Sequence, residues 1–430
     1  MLLYDLCAVE LRVYWFVHGN MKTTKTSTIS VHLSTKDVNM YASRSTFRVP
    51  YICTQCLRQS RHRVYSTLNN APNPPPPPPS GAAKLTTRRL ISLHGLDAPK
   101  FLQGLVTANV RPDSRSGFYS AFLTGQGRVL NDVFVYPTLG SRWHQDVNKD
   151  EEQGYLVEVD GGQAEALVKH LKRHKLRSKF KLRLLEDGEL NVWSMWKEDE
   201  RWTAHTKVER EGGVVALTDC RAPGMGQRVL LPDSAWAEAL GGEAEGLEEA
   251  PLSAYTIRRY LKGVAEGQEE IAREESLPMN SNIDIMGGID FKKGCYIGQE
   301  LTIRTHHTGV VRRRMLPVAL YNHGQDPPAT MTYEPDAGLQ TPEKDADIRR
   351  DDKRKRATGK FIAGIGNIGL ATCRLEQMSD LTVSGEGSSF SPDDGFIVQD
   401  VNGQEIGVKA FVPDWIRGNI REAKVQKRVT

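Results

Sequence analysis

Phe291-Lys292-Lys293-Gly294-Cys295-Tyr296-Ile297-Gly298-Gln299-Glu300 is the most informative stretch of this 430-residue chain. A cysteine lies between two glycines, after two lysines and ahead of a short turn or helix. Lysine charge and the free N–H groups of a helix N-terminus both favour thiolate over thiol. Gly294 and Gly298 allow another group to approach the backbone closely. Downstream, Arg304, His306, His307, Arg312, Arg313 and Arg314 add positive charge. The spacing suits a reactive or metal-ligating thiol, and a buried, inert cysteine is the alternative it leaves open.

The body around this stretch reads as mixed α and β. Residues 85–93 alternate as a strand, and Asp97 then caps a helix with Pro99 in its first turn and Phe101, Leu102, Leu105 and Val106 on one face. A glycine turn at Gly125-Gln126-Gly127 joins Ala121–Thr124 to Val129–Tyr136 as a hairpin. Further strands are expected at 154–159, 179–185, 190–196 and 213–218. Helices are expected from Ala164 and over 252–265. Strand-like runs dominate after Gly309. The pattern is α+β followed by a β-rich C-terminal domain.

Composition narrows the class. At this length two or three domains are expected, with 39% hydrophobic residues to fill their cores. Residues 1–65 hold nine Lys/Arg against three Asp/Glu, a net of +6; the whole chain is +4, so residues 66–430 sum to −2. The basic balance therefore belongs to the N-terminus and does not imply a general nucleic-acid surface. Only three of the six cysteines lie beyond residue 66, so a disulfide framework is not expected and a reducing compartment is. No apolar run reaches the length of a membrane span, so no membrane insertion is expected.

Val38 to Ser80 carries five arginines, frequent Ser and Thr, and no acidic residue, the composition of a mitochondrial transit peptide. Residues 1–65 are assigned to it, with 1–39 as a candidate upstream extension and Met40 as an alternative start. Cys53-x-x-Cys56 lacks partners at zinc-site spacing. The six prolines from Pro74 to Pro79 read as an extended spacer that cannot join a core, in a linker over 66–83. The fold is expected to begin near Lys84, with an α+β region over 84–310 and a C-terminal domain over 311–430. Within that domain, polar and densely charged residues 323–360 read as a solvated insertion.

Two other signals lose to plainer readings. Gly364-Ile365-Gly366-Asn367-Ile368-Gly369 matches a dinucleotide fingerprint in its letters, but strand-like sequence follows where a helix is needed. Glycines between the strands of a small barrel explain it better. The eight Lys/Arg of residues 169–183 fall opposite the apolar stripe on the helical part and alternate with apolar residues over 179–183, so they read as a solvated face, with an anion or acidic-partner surface as the alternative.

The block KGCYIGQE, continued as LTIRTHHTGVVRRR, resembles the signature of the YgfZ family, folate-binding proteins related to the glycine-cleavage T-protein. Leu96-Asp97-Ala98 with Phe101-Leu102-Gln103-Gly104, and Thr124-Gly125-Gln126-Gly127-Arg128 with Asp132, are similar to further family motifs, so the resemblance covers about residues 85–425. It implies a three-part α+β fold around a central funnel that admits tetrahydrofolate, closed by a C-terminal β-barrel. It marks Cys295 as the functional cysteine and the ligand to a shared cluster. On the folate side it implies Asp132, Asn280, Lys293, Gly294, Tyr296, Gly298, Gln299, Glu300 and Arg304. The sequence departs from the family pattern at Asn280, where a glutamate is common; an amide offers an acceptor without charge. The mitochondrial branch implies assembly of [4Fe–4S] proteins in the matrix, with an A-type scaffold supplying the cluster ligands that one thiolate cannot. The alternative it implies is a folate-dependent one-carbon transferase, a chemistry that needs an acid–base group but no cysteine.

Overall fold

The computed structural model describes residues 72–148, 152–198, 214–232, 246–352, 356–384 and 388–420. The expected transit peptide and Cys53-x-x-Cys56 lie outside the described residues. The described residues belong to one compact body.

Two five-stranded sheets and a barrel make up that body. The first sheet runs β10-β1-β7-β9-β8, from β1 (Ser80–Lys84), β7 (Asn191–Lys197), β8 (Val215–Thr218), β9 (Gln227–Leu231) and β10 (Glu248–Glu249). The second runs β3-β4-β5-β2-β6, from β2 (Arg88–His94), β3 (Phe118–Leu123), β4 (Val129–Pro137), β5 (Gly154–Asp160) and β6 (Lys181–Leu184). Helices α1 (Ala98–Gln103) and α3 (Ala164–Lys175) cover one face of the second sheet, where Leu102, Leu167 and Leu171 pack on Ile91, Val133 and Val157. Between them in the chain lies the short α2 (Arg142–Val147). The basic face of α3 is turned away from this core, as its periodicity requires.

The inner faces of both sheets meet α4 (Leu252–Lys262) in the largest core, which holds Tyr119, Phe134, Trp196, Leu230 and Tyr255. Burying one such aromatic or aliphatic side chain contributes about 1.5–3 kcal/mol. After helix α5 (Gln299–Thr308), the chain closes a six-stranded barrel in the order β11-β14-β13-β12-β15-β16. These strands are Arg313–Asn322, Asp347–Arg350, Ala357–Ile365, Ile368–Arg374, Phe396–Gln399 and Glu405–Ala410, numbered β11 to β16 in chain order. Helix α6 (Leu375–Met378) follows β14, and α7 (Asp414–Arg417) follows β16. The Gly364–Gly369 run is the tight β13–β14 turn, with Gly366 at φ +58°.

Three expectations are corrected. The proline run does join the fold: Trp196 Nε1 donates to Pro78 O at 2.9 Å and the Tyr333 hydroxyl to Pro74 O at 2.6 Å. Its extended backbone leaves carbonyls free to accept, and order begins before Lys84, with Ala82 and Ala83 buried in β1. The 323–360 stretch is not simply a solvated insertion. It supplies β12 and the start of β13, and Ile348 is fully buried in the barrel. Asp347 is exposed and Arg349 and Arg350 are half-buried, and their charge hid that strand. Asp97 occupies the N-cap of α1, but its carboxylate accepts from Lys179 N at 2.6 Å instead of capping.

Candidate functional site

The segment 288–298 is tied down residue by residue. Thr107 Oγ1 donates to Gly288 O at 2.6 Å, and Asp290 N donates to Thr107 O at 3.0 Å. Lys293 Nζ donates to three converging carbonyls, Gln103 O at 2.8 Å, Val106 O at 2.6 Å and Ala108 O at 2.8 Å. Its ammonium also lies 5.0 Å from the centre of the buried Tyr296 ring. Ile297 N donates to Gly104 O, and Gln299 Oε1 accepts from Tyr296 N. Phe291 stacks on His306 of α5 at 3.6 Å, which closes the base of the loop. Gly298 is required here: its φ is +81°, and a Cβ would lie 2.2 Å from Thr124 O.

Between these anchors Cys295 is exposed. A Cβ at Gly294 would meet nothing within 4 Å and its φ is not left-handed, so packing does not demand glycine there. Lys293 is where the sequence reading and the geometry part. Its charge is committed to backbone carbonyls, and burial pushes its pKa down to about 8, still above neutral pH. It positions the loop. Glu300 and Arg304 are exposed on α5. Of the other cysteines, Cys373 is sealed in the barrel core with its thiol pushed up to about 12 by burial. Cys220 is exposed in the turn after β8.

Asp132 lies elsewhere, on β4 in the main core, and is fully buried. Its Oδ1 accepts from Gly267 N and Gln268 Nε2, both at 3.1 Å. Around it is a charge network that sequence reasoning missed. Arg88 Nε and Arg228 Nη1 both donate to Glu158 Oε1 at 2.7 Å, and the Tyr136 hydroxyl donates to Glu158 Oε2 at 2.6 Å. Arg221 pairs with Asp219 at 2.7 Å and with Glu266 at 2.9 Å, while Arg228 Nη2 also reaches Glu266. Burial would raise the Glu266 pKa, but Arg228, Arg221, Arg88 and Arg259 hold it well below the usual carboxylate range. The available signal was charge at inward strand positions, Glu158 in β5 and Arg228 in β9.

Comparison with known proteins follows from this geometry. The chain is 45% identical over 407 residues to the mitochondrial iron–sulfur cluster assembly factor IBA57 homolog of Aspergillus fumigatus, covering 86% of this chain and 90% of the relative. It is 47% identical over 380 residues to the Pyricularia oryzae homolog, covering 85% and 92%. The chain belongs to the mitochondrial IBA57 family of iron–sulfur cluster assembly factors. Residues 312–418 match the family model described as the CAF17 C-terminal beta-barrel domain. The glycine cleavage aminomethyltransferase T of Bartonella henselae shares the fold, with a TM-score of 0.53 at 13% identity over 78% of this chain and 86% of that one. The α+β, three-part architecture with its terminal barrel is therefore that of the aminomethyltransferase-like proteins.

Whether this IBA57-family core suits a pterin is a matter of donors and acceptors. Asp132 Oδ2 and the Tyr119 hydroxyl are buried without a hydrogen-bond partner, and Arg88 Nη1 lies 3.5 Å from Asp132 Oδ2 without hydrogen-bond geometry. Burial and the nearby Asp132 carboxylate hold the Tyr119 phenol well above its ordinary pKa. Leaving such atoms unpaired costs about 1–3 kcal/mol each. A carboxylate acceptor beside hydroxyl and guanidinium donors matches the alternating edge of a pterin, so the residues fit the group chemically. Asn280 is not part of this centre; it lines a pocket beside α5 with Thr302 and Arg313.

Proposed function

We propose that this protein assists assembly of [4Fe–4S] proteins in the mitochondrial matrix, with Cys295 as one ligand to a cluster shared with an A-type scaffold. The observation that carries the reading is an exposed thiol on a segment anchored by Lys293, Ile297 and Gly298. Such a loop holds its sulfur in position without burying it. The glycine at 294, which packing leaves optional, gives a partner's backbone room beside the sulfur.

Among the described residues no three His, Cys, Asp or Glu side chains are grouped to hold a metal ion. Cys295 offers a single thiolate where an iron–sulfur cluster prefers four ligands, and the remaining ligands are proposed to come from the scaffold. The names of the relatives support the same role and a mitochondrial address. The arginine-rich, acid-free stretch before the fold supports import.

Tetrahydrofolate is proposed to bind in the main core. Asp132 Oδ2 would accept from the pterin ring, with Tyr119 and Arg88 as donors. When bound, it supplies a reduced pterin able to carry a one-carbon unit. Cys295 is presented outside that core, so cluster sharing and folate binding can be tested independently. The test is anaerobic reconstitution of the purified protein with an A-type scaffold, with and without tetrahydrofolate, followed by spectroscopy of the joint complex. The wild type should form a cluster-bridged complex and Cys295→Ser should not, while both unfold at the same temperature. A Cys295→Ser protein that shares the cluster equally well overturns the ligand role.

A further inference from the structure

Beyond Cys295 and the charged core, a pocket opens beside α5. Its volume is about 290 Å³. Leu277, Met279, Leu301 and Val311 give it apolar walls, and Asn280 and Arg313 stand among its polar lining. Two features have no account within the fold. Thr302 lines the pocket at 2% exposure, and its hydroxyl has no hydrogen-bond partner. Arg313 stands directly across from Arg374 in the β11–β14 ladder. Like charges placed opposite one another destabilise a sheet.

Among the described residues, the acidic side chain of the neighbouring helix is committed elsewhere. The acidic residue of α6, Glu376, accepts from Ser384 and from Val383 N. Burial and the charges of Arg313 and Arg356 together hold the Arg374 guanidinium below its ordinary pKa. An unsatisfied hydroxyl, an apolar hollow and two guanidiniums side by side are complementary to one kind of surface. That surface carries an apolar side chain flanked by carboxylates.

We infer that this pocket is the docking socket for an acidic segment of a protein partner, which seats one apolar side chain against Leu301 and Met279 and sets its carboxylates on Arg313 and Arg374. The inference rests on the assembly-factor reading, in which another protein must reach Cys295. The distances suit it. Thr302 is three residues into α5 and Cys295 four residues before that helix, so about 20 Å of chain at most separates them. A partner of ordinary size spans both. Docking at the socket would position the shared cluster over the sulfur, with the affinity residing in the pocket and the chemistry at the thiol.

The test uses the purified protein and a cluster-free A-type scaffold, with binding followed by calorimetry at two salt concentrations. Arg313→Glu should weaken binding about tenfold and flatten its salt dependence. It should also raise Tm, because the like-charge pair is removed. Thr302→Val, isosteric and without the unpaired hydroxyl, should weaken binding several-fold while leaving the fold equally or more stable. Lower affinity together with retained or increased stability is the expected signature, since a merely structural role would lower both. Cys295→Ser should bind the cluster-free scaffold like the wild type.

If both pocket variants bind as tightly as wild type while Cys295→Ser still loses the cluster-bridged complex, the socket is overturned and the assembly reading stands. If the wild type binds no scaffold and forms no joint cluster, the assembly reading fails and the socket with it. Self-association of the wild type that Arg313→Glu abolishes would assign the pocket to a second copy of this chain and also overturn the inference.

Discussion

Replacing Lys293 by Met tests how the thiol is held. The ammonium carries three hydrogen bonds, of 2.8, 2.6 and 2.8 Å, to carbonyls at the end of α1 and in the segment that follows it. Methionine keeps the stem and much of the volume but donates nothing, leaving three acceptors to find water. An unsatisfied acceptor costs about 1–3 kcal/mol, and because Lys293 is only half-buried the low end applies, about 3 kcal/mol in all. Spread over a body that reaches from residue 72 to residue 420, that corresponds to a fall in Tm of about 4 °C. Lys293→Arg should not rescue it, since a flat guanidinium cannot address three carbonyls converging on one nitrogen.

The same substitution has a pH signature. Burial holds the folded pKa at about 8, below the ordinary lysine value near 10.5. Between these values the unfolded chain binds the extra proton, so Lys293 makes stability rise as pH increases through that window. Below pH 8 both states are protonated and the contribution is flat. The Met variant lacks the rise, so its deficit should widen from pH 7 to pH 10. Urea unfolding at several pH values measures this, and limited proteolysis reports whether 291–298 has loosened. A deficit below about 1 kcal/mol, unchanged with pH and with unchanged cleavage, would refute the clamp. If the clamp is real, Lys293→Met should also form less cluster-bridged complex although Cys295 remains.

Two further outcomes follow from the buried charges. Asp132→Asn should weaken tetrahydrofolate binding by about 1.5–3 kcal/mol in calorimetry, the value of a hydrogen bond to a charged group; unchanged affinity would remove Asp132 from the folate account. Glu266→Gln should cost about 3 kcal/mol at pH 7, because it breaks pairs with two buried arginines. Since the Glu266 pKa is depressed, its contribution is present above the ordinary carboxylate value and lost as pH falls through the folded one, so the variant should show a flatter acid limb in urea titrations.

The elements legible in the sequence were those whose residues obey one period. Helix α3 has an apolar stripe, the β3–β4 hairpin has its glycine turn, and Gly366 needs a positive φ between two strands. Cys295 was legible because glycines and lysines crowd around it in sequence. The role of Lys293 was not, since its partners at 103, 106 and 108 are almost two hundred residues away. Strand β12 was hidden because a barrel strand buries only alternate residues, and Asp347, Arg349 and Arg350 made it look like a loop. The Asp132 centre was half visible. The aspartate was found by resemblance, whereas Arg88, Glu158 and Glu266 come from three separate segments that only the fold brings together.

That centre bears on why the fold tolerates charge in its core. Arg88, Arg221, Arg228 and Arg259 face Asp132, Glu158, Asp219, Glu266 and Glu270, four cations against five anions, all with little exposure. Buried pairs of this kind contribute little net stability compared with a well-packed apolar core, although removing one member is expensive. Stability alone therefore does not explain them. Arg228 spans the two sheets, bonding Glu158 of β5 and Glu266 beyond α4, and a shift of either sheet by one residue would strand a charge. The network thus fixes how the two sheets register around Asp132. It leaves Asp132 Oδ2 in ion-pair contact with Arg88 but without a hydrogen bond, where a ligand rich in N–H donors can complete the set.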